Sequence, residues 1–403
     1  MKLEKFIYSI LQSKEKSNLV YLIISILFVL SIATFPTQII KAKMLPSKDS
    51  DTFSIYVDLK DGSSIKQTKE VTSCIASNLQ KNENVTNISV FLKEGQPLDF
   101  AALVKQSALK DKESQAEMMI NIKKREDRDI SSYNLVSNLR EDVQKNCSMY
   151  DANIKFIELP AGPPVLASIV SEIYGGNSFE SRKDFALKIA KILKNQTTLV
   201  DVDILADDNF MMYELELDSN KALISNMDLE QIKNTLFLAF EGMKVSVINK
   251  SDVQNQIPIF LRLDDSRLLK NSTKDDLRKK LETLKVMNNQ GIMSSISEFV
   301  SIKEIIKEPT ITSKNLTPMI NVIAETNKDS QIYPLLKARD EILSSLSNDY
   351  EIKKTNLLNL SFVEKNSKER FDLVFDGELK VTIDTFIDLG GAFIVALVLI
   401  FFL

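Results

Sequence analysis

Two cysteines and no histidine limit the chemistry open to this chain of 403 residues. Zinc sites, cysteine–histidine nucleophiles and histidine-based triads all need an imidazole or several thiolates. We therefore predict a protein that is not an enzyme and that needs no cofactor. Cys74 and Cys147 both fall in regions of helical pattern, and two buried or free thiols are favoured over a disulfide.

Four aspartates near the end of one apolar run are the remaining candidates for a metal site: Asp201, Asp203, Asp207 and Asp208. Carboxylates are calcium ligands, but these four lack the loop spacing and the terminal glutamate of a calcium loop. The pattern predicts a solvated strand end and no metal. Acidic residues outnumber basic ones by 55 to 51, so no positive field favours nucleic acid as a partner.

Apolar segments near both ends predict how the chain is anchored. Leu19 to Ile40 covers about 22 residues and about 33 Å as a helix, enough to cross a bilayer. A cleaved signal peptide is the alternative, but no clear cleavage site follows. The positive-inside rule places the N-terminus in the cytoplasm and residues from about Lys43 outside, on the basis of Lys2, Lys5, Lys14 and Lys16.

The second apolar run extends from Leu389 to Leu403. It spans only about 22 Å as a helix, less than a hydrocarbon core of about 30 Å. We interpret it as the truncated start of another membrane helix, and the chain as a fragment or the product of a split gene.

Between these segments, alternating apolar residues and helical periodicity predict repeated βαβ units. The first pair of units comprises strands Phe53–Leu59, Ile88–Leu92, Met118–Ile122 and Ile154–Leu159, with helices at Ile65–Leu79 and from Ser131. A second set comprises strands Ala167–Tyr174, Leu199–Leu205 and Met319–Ala324, with helices around Phe185 and from Leu335 to Leu346. An insertion of about a hundred residues interrupts this second set, which indicates a split ferredoxin-like unit with an inserted subdomain.

Several local strings resemble the resistance-nodulation-division (RND) efflux permeases. They are Lys43-Met44-Leu45-Pro46 after the membrane helix, Gly62-Ser63-Ser64 after the first strand, Pro97-Leu98-Asp99-Phe100, Leu159 to Val165 leading into Ser171 to Gly175, and Phe375 to Glu378. The order of elements is similar to the second half of such a permease. The resemblance covers essentially the whole chain.

This resemblance implies a membrane-anchored α+β fold with two ferredoxin-like porter subdomains and an inserted α/β docking subdomain. The implied domains are 1–42 (cytoplasmic N-terminus and transmembrane helix), 43–162 (first porter), 163–210 with 318–380 (second porter), 211–317 (docking) and 381–403 (start of a second membrane helix). It also implies proton-driven export of hydrophobic compounds or drugs from the inner membrane, with the bulk of the chain in the periplasm. The implied partners are a homotrimer or the remaining half of the permease, a periplasmic adaptor, an outer-membrane channel and membrane lipid.

Site residues follow from the same resemblance. Met118 and Met119 are the implied contacts to a hydrophobic substrate in the cleft, although adjacent strand residues alternate between core and surface, and methionine often fills core gaps. Soft metal ions, as in the heavy-metal exporters, are a second ligand for these thioethers. The interdomain link is predicted at Pro160, Gly162, Pro163 and Pro164, where prolines favour an extended connector.

Two functions from other classes compete with this interpretation. A membrane-anchored periplasmic sensor needs a cytoplasmic signalling domain, which about 18 residues before the first helix cannot hold. The porter-like domain of an ATP-driven exporter needs a phosphate-binding glycine-rich loop, and no Gly-x-x-x-x-Gly-Lys string occurs.

Overall fold

The computed structural model describes residues 7–8, 10, 12–34, 37, 39, 48–159, 162, 165–254, 256–263, 273–327, 332–356 and 358–403, the side chains of 100 and 101 excepted. An apolar helix lies near each end, α1 at Lys14–Ala33 and, at the C-terminal end, Glu378–Phe402. By length and composition both are able to cross a membrane. Helix α1 ends at Ala33, before the predicted Ile40, and residues 35, 36, 38 and 40 of the predicted span lie outside the described residues.

A first sandwich consists of one antiparallel sheet with helices on one face. The sheet has the order β2-β3-β1-β4. Its elements are β1 (Thr52–Asp58), α2 (Ile65–Leu79), β2 (Val85–Leu92), α3 (Phe100–Val104), β3 (Gln115–Ile122), α4 (Ser132–Asn146) and β4 (Asn153–Glu158).

The core of the first sandwich forms where α2 and α4 cover the sheet. Val71, Ile75 and Leu79 recur every four residues on α2, which places them in one buried stripe. From the sheet, Phe53 stacks against Phe156 with ring centroids 6.2 Å apart. Every second residue of β1 and β4 therefore points away from this core.

Cys74 and Cys147 form a disulfide across the first sandwich, so the expectation of two separate thiols was wrong. Cys74 lies on α2 and Cys147 caps α4, and their sulfurs are bonded at 2.08 Å. The two helices pack side by side, which brings together residues 73 positions apart in the sequence.

A second sandwich contains a seven-stranded sheet with the order β13-β14-β5-β17-β16-β15, and β6 pairs with β14. Its elements are β5 (Ile169–Gly175), α5 (Phe179–Lys194), β6 (Leu199–Leu205), β13 (Ser313–Lys314), β14 (Thr317–Thr326), α9 (Ile332–Leu346), β15 (Tyr350–Lys354), β16 (Leu360–Glu364) and β17 (Arg370–Asp376). The numbers missing from this series, β7 to β12 and α6 to α8, belong to the insertion described below.

Phe185 of α5 lies at the centre of the second core. Its ring stacks on Phe371 at 4.6 Å and meets Phe362 and Tyr350 edge-on at 5.0 and 5.4 Å. The C-terminal helix α10 (Glu378–Phe402) begins directly after β17, and its residues Leu379 and Thr382 are buried.

Residues 209–308 form a separate compact unit within the chain. Its small core includes Ile232, Leu281 and Phe299. The unit contains β7 (Met211–Leu217), α6 (Ser219–Ile224), α7 (Leu229–Phe240), β8 (Met243–Ile248), β9 (Ile257–Leu261), α8 (Lys274–Thr283), β10 (Lys285–Met287), β11 (Met293–Ser295) and β12 (Val300–Ile306).

The predicted mixed α/β organisation with an apolar helix near each end is confirmed. The helix predicted at Ile65–Leu79 and the strand predicted at Leu199–Leu205 have the predicted bounds. The hairpin of β16 and β17 was not predicted, although Phe371, Leu373 and Phe375 alternate in the manner of a strand.

Candidate functional site

A cavity of about 690 Å³ lies between the two sandwiches. The outer face of the first sheet forms one wall, at Tyr56, Asp58 and Lys155, and β6 and β14 form another. The third boundary is the segment 93–114 between β2 and β3, which we call the crossing segment. Every lining residue belongs to the compact unit formed by 1–208 and 309–403.

The free edges of β4 and β6 meet at Asp201. Its backbone has φ of +52°, a left-handed conformation that aspartate tolerates better than most residues. Oδ2 of Asp201 accepts a hydrogen bond from the backbone N–H of Phe156 at 2.9 Å and another from Arg140 Nη2 at 3.0 Å. Burial raises the pKa of Asp201, although Arg140 opposes the shift. The contact joins the two sandwiches through one buried carboxylate.

Lys155 on β4 forms a second connection. Its Nζ lies 2.7 Å from Asp58 Oδ2 on β1 and 2.5 Å from Asp203 Oδ2 on β6. Burial by itself lowers the pKa of Lys155, but the charges of Asp58 and Asp203 outweigh it and raise the pKa above its ordinary value. Burial likewise raises the pKa of Asp58, but attraction to Lys155 and Lys110 dominates and lowers the pKa to about 2. Both groups are charged at neutral pH.

The crossing segment contacts both sandwiches, through Gln96 near its start and Lys105 at its middle. Gln96 donates its backbone N–H to Glu117 Oε2 at 2.9 Å on the first sheet. Lys105 reaches Glu325 on β14 at 3.2 Å and the carbonyl oxygen of Leu166 at 3.2 Å. The segment thus covers the outer face of the first sheet and bridges to the second.

At the far end of the crossing segment, Lys112 lies between two aspartates. Its Nζ is 3.1 Å from Asp61 Oδ1 and 2.5 Å from Asp207 Oδ1. Thr310 donates its backbone N–H and its hydroxyl to Asp207 Oδ2 at 2.9 and 2.7 Å. Burial raises the pKa of Asp207, but the hydrogen bonds from Lys112 and Thr310 outweigh it and hold the pKa below its ordinary value.

The four aspartates therefore do not form the predicted solvated strand end, and that prediction was wrong for three of them. Asp201, Asp203 and Asp207 are buried or half-buried and are paired with Arg140, Lys155 and Lys112, in that order. Asp208 is exposed and pairs with Lys183 at 2.7 Å. The sequence shows these acids, but not that Arg140, Lys155 and Lys112 of the first sandwich lie beside them.

The two methionines predicted to contact substrate lie on opposite faces of β3. Met118 is fully buried in the first core. Met119 is half-buried and faces a small cavity of about 50 Å³ beneath the crossing segment, lined also by Ser54 and Gln96. Neither appears among the described residues that line the larger cavity.

Of the predicted interdomain link, Gly162 is half-buried in a bend between β4 and β5, whereas Pro160, Pro163 and Pro164 lie outside the described residues. Lys105, Lys112 and Lys155 were not predicted. Lys155 carried one signal: it stands between Ile154 and Phe156, so strand alternation directs it away from the core.

Comparisons with known proteins relate the whole arrangement to transporters. A model of the AcrB/AcrD/AcrF family matches residues 2–375. Two crystal forms of a heavy metal efflux pump are similar in fold, each with a TM-score of 0.66 and 14% sequence identity. Each similarity covers 98% of this chain but only 37% of the pump's chain. No curated protein matches.

Proposed function

Because this chain belongs to the AcrB/AcrD/AcrF family of RND efflux permeases, which are transporters and not enzymes, we propose that it is the periplasmic porter portion of a proton-driven exporter of hydrophobic compounds or drugs. Members of this family are inner-membrane permeases. The chain spans 37% of the length of the pumps that it resembles in structure, so the remaining functions of the transporter are assigned to other segments or partners.

The two apolar helices and the disulfide support the proposed location. Helices α1 and α10 are long and apolar enough to cross a membrane, and in our proposal they anchor the sandwiches that lie between them in the sequence. Disulfides persist outside the cytoplasm and are rare within it, so the bonded Cys74 and Cys147 favour a periplasmic first sandwich. In this assignment 43–162 is the first porter subdomain, 163–210 with 318–380 is the second, and 211–317 is the docking subdomain.

The cavity between the sandwiches carries the proposal. Its volume of about 690 Å³ falls within the range of about 300 to 1,000 Å³ that is usual for small-molecule sites. Apolar side chains alternate with charged ones on its walls, among them Leu109, Leu166, Ile204 and Ile323. Such a lining suits compounds with a large apolar body and a polar or charged group.

Met119 is the better supported of the two predicted methionine contacts. Its side chain reaches the small cavity under the crossing segment, and Met118 is enclosed by the core. A heavy-metal substrate, such as the pumps of similar fold export, needs several soft ligands that face one point. Since Met118 and Met119 point to opposite faces of β3, they do not supply a common thioether site, and hydrophobic substrates remain our proposal.

Pumps of this family are homotrimers that work with an adaptor and an outer-membrane channel. We propose the same partners for this chain, together with the remaining half of a permease to supply the proton relay. The link at 160–164 is proposed to connect the two porter subdomains.

Thiol protection tests the substrate cleft directly. The only two cysteines are bonded to each other, so Ile323→Cys adds a single reactive thiol on the cavity wall. With the full chain in lipid nanodiscs, N-phenyl-1-naphthylamine is expected to slow alkylation of this thiol by N-ethylmaleimide in a saturable manner. Leu223→Cys, exposed in the inserted unit, is the matched control and keeps its rate. Equal effects on both thiols, or none, would overturn the proposed cleft.

A further inference from the structure

The chain leaves for the inserted unit at residues that are bound to the first sandwich, and it returns at a residue that is bound to one of them. Asp207 and Asp208 immediately precede that unit, and Thr310 follows it by two residues. All three make hydrogen bonds within a cluster that also contains Asp61 and Lys112 from the first sandwich. We call these five residues the neck clamp.

Hydrogen bonds and ion pairs link all five residues of the neck clamp to one another. Lys112 bridges Asp61 and Asp207, Thr310 donates twice to Asp207, and the backbone N–H of Asp208 donates to Asp61 Oδ2 at 2.9 Å. From the other side, Lys183 on α5 donates to the carbonyl oxygen of Asp207 at 2.5 Å and pairs with Asp208. Asp207 and Asp208 are thus attached to the second sandwich while their carboxylate and amide groups bind the first.

All five residues of the clamp also line the cavity. The sandwiches cannot separate at this boundary without breaking the bonds of Lys112 to Asp207 and of Asp208 to Asp61. Breaking these ion pairs is feasible because their side chains are partly exposed, so that water can solvate the charges once they separate. The side chains of Lys112, Asp61 and Asp207 are 25%, 13% and 18% exposed.

The contact between Arg140 and Asp201 has the opposite character. Its side chains are 7% and 1% exposed, and separating them would leave buried charges without partners, which is strongly unfavourable. The lysines of the Lys155–Asp203 and Lys105–Glu325 pairs are also buried, at 7% and 8% exposed. A movement that opens the cavity is therefore cheapest when it preserves these contacts and the one at Asp201 and breaks the neck clamp.

We propose that the neck clamp is a salt-sensitive gate that controls access to the cavity. This inference rests on the proposed function only in taking the cavity as the substrate cleft. Ionic strength enters because partly exposed ion pairs are screened by salt, and raising NaCl from about 50 mM to about 500 mM shortens the Debye length from about 14 Å to about 4 Å.

The test measures alkylation of Ile323→Cys by neutral N-ethylmaleimide, whose own encounter rate does not depend on salt through charge. In the full chain in nanodiscs, Lys112→Met is expected to raise the rate about fivefold at low salt, the scale of one partly exposed ion pair. Lys303→Met is the matched control, because Lys303 and Glu216 form an ion pair at 2.7 Å within the inserted unit, with side chains 53% and 54% exposed. That variant should leave the rate unchanged.

A charge-conserving variant and the salt series keep the test decisive. Lys112→Arg keeps a positive charge between Asp61 and Asp207 and is expected to keep the rate of the parent. High salt should raise the rate of the parent and leave that of Lys112→Met unchanged. If Lys112→Met fails to fold, Asp207→Asn replaces it, because it removes the other charge of the same ion pair. A salt dependence that is equal in parent and variant, or absent from both, would overturn the gate. Protection by N-phenyl-1-naphthylamine is measured separately, so a failed gate and a failed cleft give different results.

Discussion

Replacing Lys155 by methionine tests whether the charged groups between the sandwiches hold the structure together. Methionine keeps much of the length of the side chain and removes the ammonium group that contacts Asp58 and Asp203. Both aspartates then remain in a half-buried position, and Asp58 keeps only Lys110 at 3.4 Å. We expect the free energy of unfolding to fall and its dependence on pH to weaken.

The magnitude follows from burial and from the pKa of Asp58. Breaking a buried pair by removal of one partner costs about 3 to 5 kcal/mol, and since each aspartate is about one-fifth exposed, we expect about 3 kcal/mol for Lys155→Met. The pKa of Asp58 is about 2 in the folded protein and 3.8 ordinarily. This difference contributes about 2.5 kcal/mol of stability. The contribution is present above the ordinary pKa and is lost as the pH falls from about 4 to about 2.

Urea unfolding followed by circular dichroism measures both quantities on a soluble segment of residues 43–386. The segment extends beyond Ile383 because Leu379 and Ile383 pack on the second core. The parent should lose stability steeply below pH 4 and Lys155→Met much less steeply. Lys60→Met removes a lysine that is 77% exposed in its pair with Asp151, and this variant should behave as the parent. An unchanged unfolding free energy for Lys155→Met, or an unchanged acid slope, would refute the assignment of Lys155 as the central connection.

Two further predictions concern the cores. Replacing Cys74 and Cys147 by alanine removes a cross-link between residues 73 positions apart, and the chain-entropy estimate for such a loop is about 4 kcal/mol. Urea unfolding of the segment should show that the free energy of unfolding falls by up to this amount. An unchanged free energy of unfolding would mean that the bond is absent in solution. Phe185→Ala removes the ring at the centre of the second core and should cost about 3 to 5 kcal/mol. Phe237→Ala, on a ring 57% exposed in the inserted unit, should cost much less, and equal losses would contradict the described packing.

Local patterns in the sequence predicted most elements of the two sandwiches, because a buried face imposes a period on its residues. The stripe of Val71, Ile75 and Leu79 defined α2, and apolar alternation defined β1. The disulfide was not predicted, since it depends on the packing of α2 against α4 and not on any local signal. The hairpin of β16 and β17 was not predicted despite the alternation of β17, whose last residues also resemble the approach to a membrane helix.

The candidate site was less predictable than the fold for a related physical reason. A charged residue on the outer face of a strand is ordinarily solvated, and the sequence of β4 gives no sign that Lys155 is buried beside Asp203 of β6. The aspartates of β6 likewise looked like solvated acids. Only the approach of two sheets, set by long-range contacts, converts these separate residues into paired charges.

The junction between the second sandwich and α10 determines how a movement at the neck clamp would reach the membrane. Gly377 alone separates β17 from the helix, with φ of +88°, and a Cβ there would lie 2.6 Å from the carbonyl oxygen of Ala167. The turn is therefore tight and demands glycine. Because Leu379 of the first helical turn belongs to the second core, that sandwich cannot shift relative to the start of α10 without disrupting its own packing. A second sandwich that pivots at Asp201 would consequently carry the start of the helix with it.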